Sequence, residues 1–278
     1  TAVNGGRPVF NAGIGSSGLM RDPCAIVGPD GRFHMVWTTG WTGHDIGYAW
    51  SEDLIHWQEK RTIPVMAHEP ETRNCWAPEL FYDDVTGQYI IFWASTIPGR
   101  FPETEHPEDD NNHRIYYTTT RDFSTFSPAQ VLYDRGFNVI DSTIEKVGDR
   151  YVMFLKNETK VPVTEKNIRV AWADSPLGPW STPGPPISGR DWAEGPTALK
   201  QGDGWIVYFD RYTRRTWGAI ASIDLETWTD ITGHISVPEG MRHGTIVPIT
   251  RQQLDVLQSL GNRTPDERLQ LQGIENAG

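Results

Sequence analysis

Three carboxylates stand at corresponding places along this chain: Asp22 before Pro-Cys-Ala-Ile-Val, Asp141 before Ser-Thr-Ile, and Glu194 before Gly-Pro-Thr-Ala-Leu. Each opens a short apolar run, where a charged side chain contributes nothing to a hydrophobic core. Singly, an acid there reads as a turn cap; three at matching places read as a cluster. Crowded carboxylates repel and lift at least one pKa, an arrangement that acid–base chemistry uses and structure alone rarely accumulates. Cleavage of a glycosidic bond is chemistry of this kind. One protonated carboxyl helps the leaving oxygen depart, and one ionised carboxylate activates water or attacks the sugar. A separation of about 6.5–9.5 Å leaves room for the water and inverts the anomeric centre, whereas about 5–5.5 Å implies a covalent intermediate and retention.

The elements that position these acids form a repeat of about 50 to 65 residues, the period of four-stranded propeller blades rather than of helical repeats. The first unit runs through Asp22–Val27, Phe33–Trp37, Ile46–Ser51 and a turn at Asp53–Trp57. The second has Trp76–Tyr82, Tyr89–Trp93, Arg114–Thr118 and Asp122–Phe126. The third has Asp141–Glu145, Tyr151–Leu155, Ile168–Trp172 and Ser175–Trp180; the fourth has Glu194–Leu199, Trp205–Phe209, Trp217–Ser222 and Asp224–Trp228. Each unit is three β-rich runs with Gly, Asn or Asp turns, then an Asp-Leu-x-x-Trp-like turn toward an outer strand. A fifth inner strand is expected at His243–Ile249, its blade completed by residues 234–237 and by Arg7–Asn11, which would close the ring and remove exposed edges. The fold expected is therefore an all-β, five-bladed β-propeller, one catalytic domain over residues 1–250, with a short helical tail over 251–278 packed outside it.

Composition narrows the partners. Lys and Arg total 25 against 36 Asp and Glu, a formal net charge of −11, and no stretch concentrates basic residues. Nucleic acid and anionic membrane are poor partners for such a surface. No run of about 18 apolar residues is present to span a bilayer. Twelve Trp, nine Tyr and ten Phe supply flat faces that could stack on sugar rings, although most are expected to pack within the sheets. The start at Thr1 without Met is read as a removed signal peptide, hence secretion or a periplasmic location. Cys24 and Cys75 each open a repeat and either pair or remain two buried thiols. The acidic stretch Glu103–Asn112 reads as a solvated loop, with a calcium loop or a lip over the pocket as alternatives.

The motifs Arg21-Asp-Pro23, Trp76-Ala-Pro-Glu79, Val139-Ile-Asp-Ser142, Trp192-Ala-Glu-Gly-Pro196 and Arg242-His-Gly244, in this order, resemble glycoside hydrolase family 43 over roughly residues 18–250. That family includes α-L-arabinofuranosidases, β-xylosidases, arabinanases and exo-galactanases. The resemblance implies Asp22 as general base, Glu194 as general acid and Asp141 as the acid that tunes and orients it. It also places His243 near the channel axis, in the shell of a bound calcium ion in many members; any calcium would be structural, and no cofactor is required for the chemistry. Trp76 and Glu79 at the second blade's entrance, Arg211 after the fourth blade's second strand, and Trp41 in a first-blade loop are the candidates for contacting sugar.

The reading is an inverting, exo-acting hydrolase that releases terminal α-L-arabinofuranose, or a related xylose, galactofuranose or galactose unit, from a polysaccharide or oligosaccharide. Exo action is inferred from the insertions at 98–113 and 157–167, which could close a groove into a pocket. One alternative is a retaining fructan-type propeller hydrolase, against which the absence of a Glu-Cys signature counts. Another is a non-catalytic glycan-binding propeller, to which clustered negative charge offers little. Oligomeric state is not legible in the residues.

Overall fold

The β-rich runs fold as antiparallel sheets because they are filled with Val, Ile, Tyr, Phe and Trp, and because glycines such as Gly31, Gly87, Gly148 and Gly202 enter the left-handed region their turns require. The computed structural model describes residues 2–15 and 17–259. The first sheet is β1 (Arg21–Val27), β2 (Phe33–Thr38), β3 (Ile46–Ser51) and β4 (Trp57–Ile63), in chain order. The second is β5 (Trp76–Asp83), β6 (Gln88–Ser95), β7 (Arg114–Thr120) and β8 (Gln130–Tyr133). The third holds β9 (Val139–Val147), β10 (Arg150–Asn157) and β11 (Asn167–Ala173); the fourth holds β12 (Glu194–Gln201), β13 (Gly204–Arg211), β14 (Thr216–Ser222) and β15 (Thr229–Asp230). The first strand of each sheet is innermost, with β1 against β5, β5 against β9, and β9 against β12. The fold is an all-β propeller.

Among the described residues there are four sheets, where the repeat had suggested five. Residues 243–249 do reach the axis, between β1 and β12: Thr245 Oγ1 donates to the Pro23 carbonyl at 3.0 Å, and the Ile246 N–H donates to Thr197 Oγ1 at 3.0 Å. They form no ladder: Pro248 interrupts this segment itself, Pro8 stands within one of the segments expected to pair with it, and Gly233 and Pro238 bracket the other. The N-terminal residues cover the free face of the first sheet instead. Phe10 packs edge-on against Trp37 at 5.5 Å and beside Trp57 at 5.6 Å, and Ala12, Ile14, Met20 and Val247 complete that cluster.

The third sheet lacks its fourth strand for a similar reason. Pro179, Pro183, Pro185 and Pro186 crowd the segment beside β11, and prolines cannot donate to a ladder. Three isolated bonds remain, from the N–H groups of Ser181, Gly184 and Ile187 to the carbonyls of Trp172, Val170 and Ile168. Apolar side chains fill the spaces between neighbouring sheets, Trp93 and Ile91 between the first two, Phe154 and Phe209 between the last two.

Cys24 and Cys75 are both buried and unbridged. The C-terminal helix α1 (Arg251–Ser259) lies against a short 3-10 turn at Val3–Gly6. The remainder of the expected helical tail, 260–278, lies outside the described residues.

Candidate active site

All four inner strands break register at the same point. The irregularities fall between Arg21 and Cys24, Trp76 and Glu79, Ile140 and Thr143, and Glu194 and Thr197. At each one a single residue has positive φ: Asp22 (50°), Ala77 (44°), Asp141 (47°) and Gly195 (58°). An L-residue in this region costs about 1–2 kcal/mol, least for Asp, whose short polar chain bonds locally. The bulge turns the local N–H out of its own ladder toward the preceding blade. Ala77 N–H donates to Thr38 Oγ1 at 2.8 Å, and Gly195 N–H donates to Asp141 Oδ2 at 3.0 Å. Asp22 and Asp141 are thus true repeat equivalents, whereas Glu194 stands one residue earlier, at the level of Arg21, Trp76 and Ile140.

The expected acids converge on His243. Its Nδ1 lies 3.4 Å from Asp22 Oδ1 and 3.9 Å from Asp141 Oδ2, and the charge of Glu194 also acts on it. Burial alone would strip the imidazole of its proton, but Asp141, Asp22 and Glu194 outweigh burial and push its pKa to about 10. Asp22 is affected in the opposite sense. Burial lifts its carboxyl, yet the hydrogen bond and charge of His243, with Arg21 and the Thr38 hydroxyl at 3.0 Å, hold it below the usual range. Asp141 is pushed up to about 6, chiefly by burial, with Glu194 and Asp22 adding and His243 and Lys156 opposing. One acid is therefore kept ionised and its neighbour is poised to carry a proton.

Glu194 has two basic neighbours. Lys156 Nζ is 3.2 Å from Oε2, and Arg242 Nη2 is 3.8 Å from Oε1. Arg242 and His243, consecutive in the chain, therefore hold Glu194 and Asp22 respectively. Arg242 is fixed in turn by Asp210 Oδ2 at 2.7 Å, and Lys156 by Glu158 at 2.6 Å.

A family profile described as "Probable glycosyl hydrolase domain", family-43-related, matches residues 1–255. The chain belongs to this family of glycosyl hydrolases. An α-L-arabinofuranosidase of Bifidobacterium longum is 27% identical over 176 residues, 56% of this chain and 16% of that protein, so this glycosyl hydrolase spans a small part of that relative's length. The crystal structure of an α-L-arabinofuranosidase from Lactobacillus brevis matches with a TM-score of 0.57 at 16% identity, covering 76% of this chain and 72% of that one. A native Bacillus subtilis arabinanase matches with a TM-score of 0.58 at 13% identity over 84% and 87%. Both structures share the fold. Membership places residues 1–255 in a domain family of glycosyl-hydrolase type.

The other expected contacts of this glycosyl hydrolase fall in different places. Trp41 is exposed, its ring 5.9 Å from that of Trp76 and 4.6 Å beneath the Arg21 guanidinium, and Trp76 Nε1 donates to the Trp41 carbonyl. Both stand on the Asp22 side of the cluster. Glu79 lies one bulge deeper, fully enclosed beside Cys24 and Thr143, where burial lifts it to about 7. It lines a cavity of about 440 Å³ that also meets Glu145, Thr197 and Thr245, further down the inner strands than the three acids. Arg211 pairs with Asp191 at 3.7 Å and Asp230 at 3.2 Å rather than with the acids.

The residues do not fit a calcium ion ligated by His243. Its Nδ1 is directed at the carboxylates of Asp22 and Asp141 and hydrogen-bonds Asp22, so that nitrogen is engaged by the acids rather than presented as a ligand. Among the described residues no group of three or more His, Cys, Asp and Glu is arranged to hold a metal.

Lys156, Arg242, Asp210 and Thr38 were not among the residues expected at the site. Lys156 pairs across the ladder with Ile140, Asp210 with Glu194, and Thr38 with Arg21, so the three share one repeat position on the second strands. A Lys ending the apolar run 151–155 was the available signal.

Proposed function

We propose that the chain hydrolyses glycosides with inversion, Asp22 taking a proton from water while Glu194 protonates the departing oxygen. The observation that carries this reading is the opposite treatment of two carboxylates around one imidazolium. Asp22 is held ionised by His243, as a general base requires, and Asp141 carries a raised pKa and accepts the N–H next to Glu194, as a modulator of the acid requires. Asp141 and His243 position and tune; neither is assigned bond-making. Lys156 and Arg242 orient the Glu194 carboxyl between them.

The sugar proposed is a terminal α-L-arabinofuranose, with xylose, galactofuranose and galactose units as related candidates. The relatives named as arabinofuranosidases support arabinose. Trp41 and Trp76, perpendicular at the Asp22 side, supply a wall for the sugar undergoing displacement. Release of nitrophenol from α-L-arabinofuranoside, β-D-xyloside, β-D-galactofuranoside and β-D-galactoside, with Asp22→Asn beside the native chain, tests both sugar and base. Turnover of one glycoside that falls at least about a thousandfold in the variant supports the reading. A full rate in Asp22→Asn overturns it.

A further inference from the structure

Of the twelve tryptophans only Trp41 and Trp192 are exposed, at 56% and 42%. Trp41 stands beside Arg21 and Asp22, and Trp192 two residues before Glu194. An aromatic face is thus left in water at each end of the acid–base pair, where burying it elsewhere would have added stability.

We infer that Trp192, backed by Tyr212, is the platform for the sugar ring on the leaving-group side of the scissile bond, a subsite for a neutral furanose or pyranose. The inference rests on the proposed roles of Asp22 and Glu194. A general acid must reach the glycosidic oxygen, so the departing sugar lies on the Glu194 side, away from the water that Asp22 activates. On that side the Tyr212 ring lies 4.8 Å from Lys156 Nζ, itself 3.2 Å from Glu194, and the Trp192 ring centroid is 6.1 Å from that of Tyr212 with 43° between the planes. A tilted aromatic pair continues the floor of the site outward from the acid.

The platform is braced on both flanks. Asp191 accepts from Arg214 Nε and Nη2 at 2.8 and 2.7 Å and pairs with Arg211 at 3.7 Å, tying the loop to the β13–β14 turn. Ala193 is fully buried, and its N–H donates to the Lys166 carbonyl at 3.0 Å. Only the indole between these anchors projects into solvent. A rigid amphipathic ring loses little conformational entropy when a sugar's C–H face settles on it. This also accounts for Arg211, which acts by holding the loop.

The test compares two substrates with the same displaced sugar: α-L-arabinofuranosyl fluoride, whose leaving group is too small to reach Trp192 and needs no general acid, and α-1,5-linked arabinotriose. Trp192→Ala should lower the ratio of kcat/KM on the trisaccharide to that on the fluoride by about tenfold, mostly through KM, and Trp192→Phe should recover part of it. An equal loss on both substrates, or no loss on the trisaccharide, overturns the subsite. Glu194→Gln reports separately on the underlying reading. It should abolish trisaccharide hydrolysis while sparing the fluoride, and a full rate on the trisaccharide would sink the acid assignment whatever Trp192 does.

Discussion

Lys156 Nζ lies 3.2 Å from Glu194 Oε2 and 2.6 Å from Glu158, on a side chain almost wholly enclosed. Its charge opposes the rise of the Asp141 pKa, which burial has already brought to about 6, and burial fails to neutralise it because Glu158, Asp141 and Glu194 hold the ammonium's proton. A cation placed there favours ionised carboxyls around it. In Lys156→Met the Asp141 carboxyl should keep its proton to higher pH. The alkaline limb of kcat/KM against pH is then expected to move up by about one unit. An unmoved limb with lowered activity would leave Lys156 a structural role only.

Gly195 has no substitute. Its φ is +58°, and a Cβ there would sit 2.3 Å from His243 Cδ2 and 2.4 Å from Cγ. Gly195→Ala should cost about 2–4 kcal/mol from backbone strain and overpacking together, and displace the imidazole from Asp22. Calorimetry should show a lower Tm. The pH profile should show the acidic limb of kcat/KM moving up, since Asp22 would lose the partner that holds its carboxyl low.

Glu79 and Glu145, both raised to about 7 by burial, make stability depend on pH in a definite direction. The folded chain binds protons that the unfolded chain releases above the ordinary glutamate pKa. Their contribution is therefore fully present below about pH 4.5 and lost as pH rises through 7. Glu79→Gln removes one such group. It should be more stable than the native chain at pH 8, by on the order of 3 kcal/mol, with the difference closing toward pH 4.5. Urea midpoints at the two pH values check this, and equal midpoints at pH 8 would contradict it.

The repeat was legible because period, turn residues and apolar runs recur in every unit, and its four inner strands lie where the runs at 22, 76, 141 and 194 place them. The fifth blade was not, since a β-rich stretch such as 243–249 says nothing about whether partners exist to pair with it. In this chain prolines and glycines withheld them. Asp22, Asp141 and Glu194 could be read because carboxylates heading inner strands must meet at an axis, whereas His243 was reached only through the resemblance of its Arg-His-Gly motif. Their one-residue offset, and the second-strand residues Thr38, Lys156 and Asp210 beneath them, depend on bulges that shift register without a sequence mark beyond the Pro following Asp22, Ala77 and Gly195. Glu79 shows the cost of ignoring that shift. Three residues past Trp76 sounded like the mouth of the funnel, and the bulge carried it down to the cavity further along the inner strands.

The anomer first released, followed by proton NMR on the glycoside that the panel singles out, tests the central claim most directly. Direct attack by the water held at Asp22 predicts a product of inverted configuration before mutarotation. Release of the retained anomer would mean a covalent glycosyl intermediate, and would contradict Asp22 as general base and Glu194 as general acid of a single displacement.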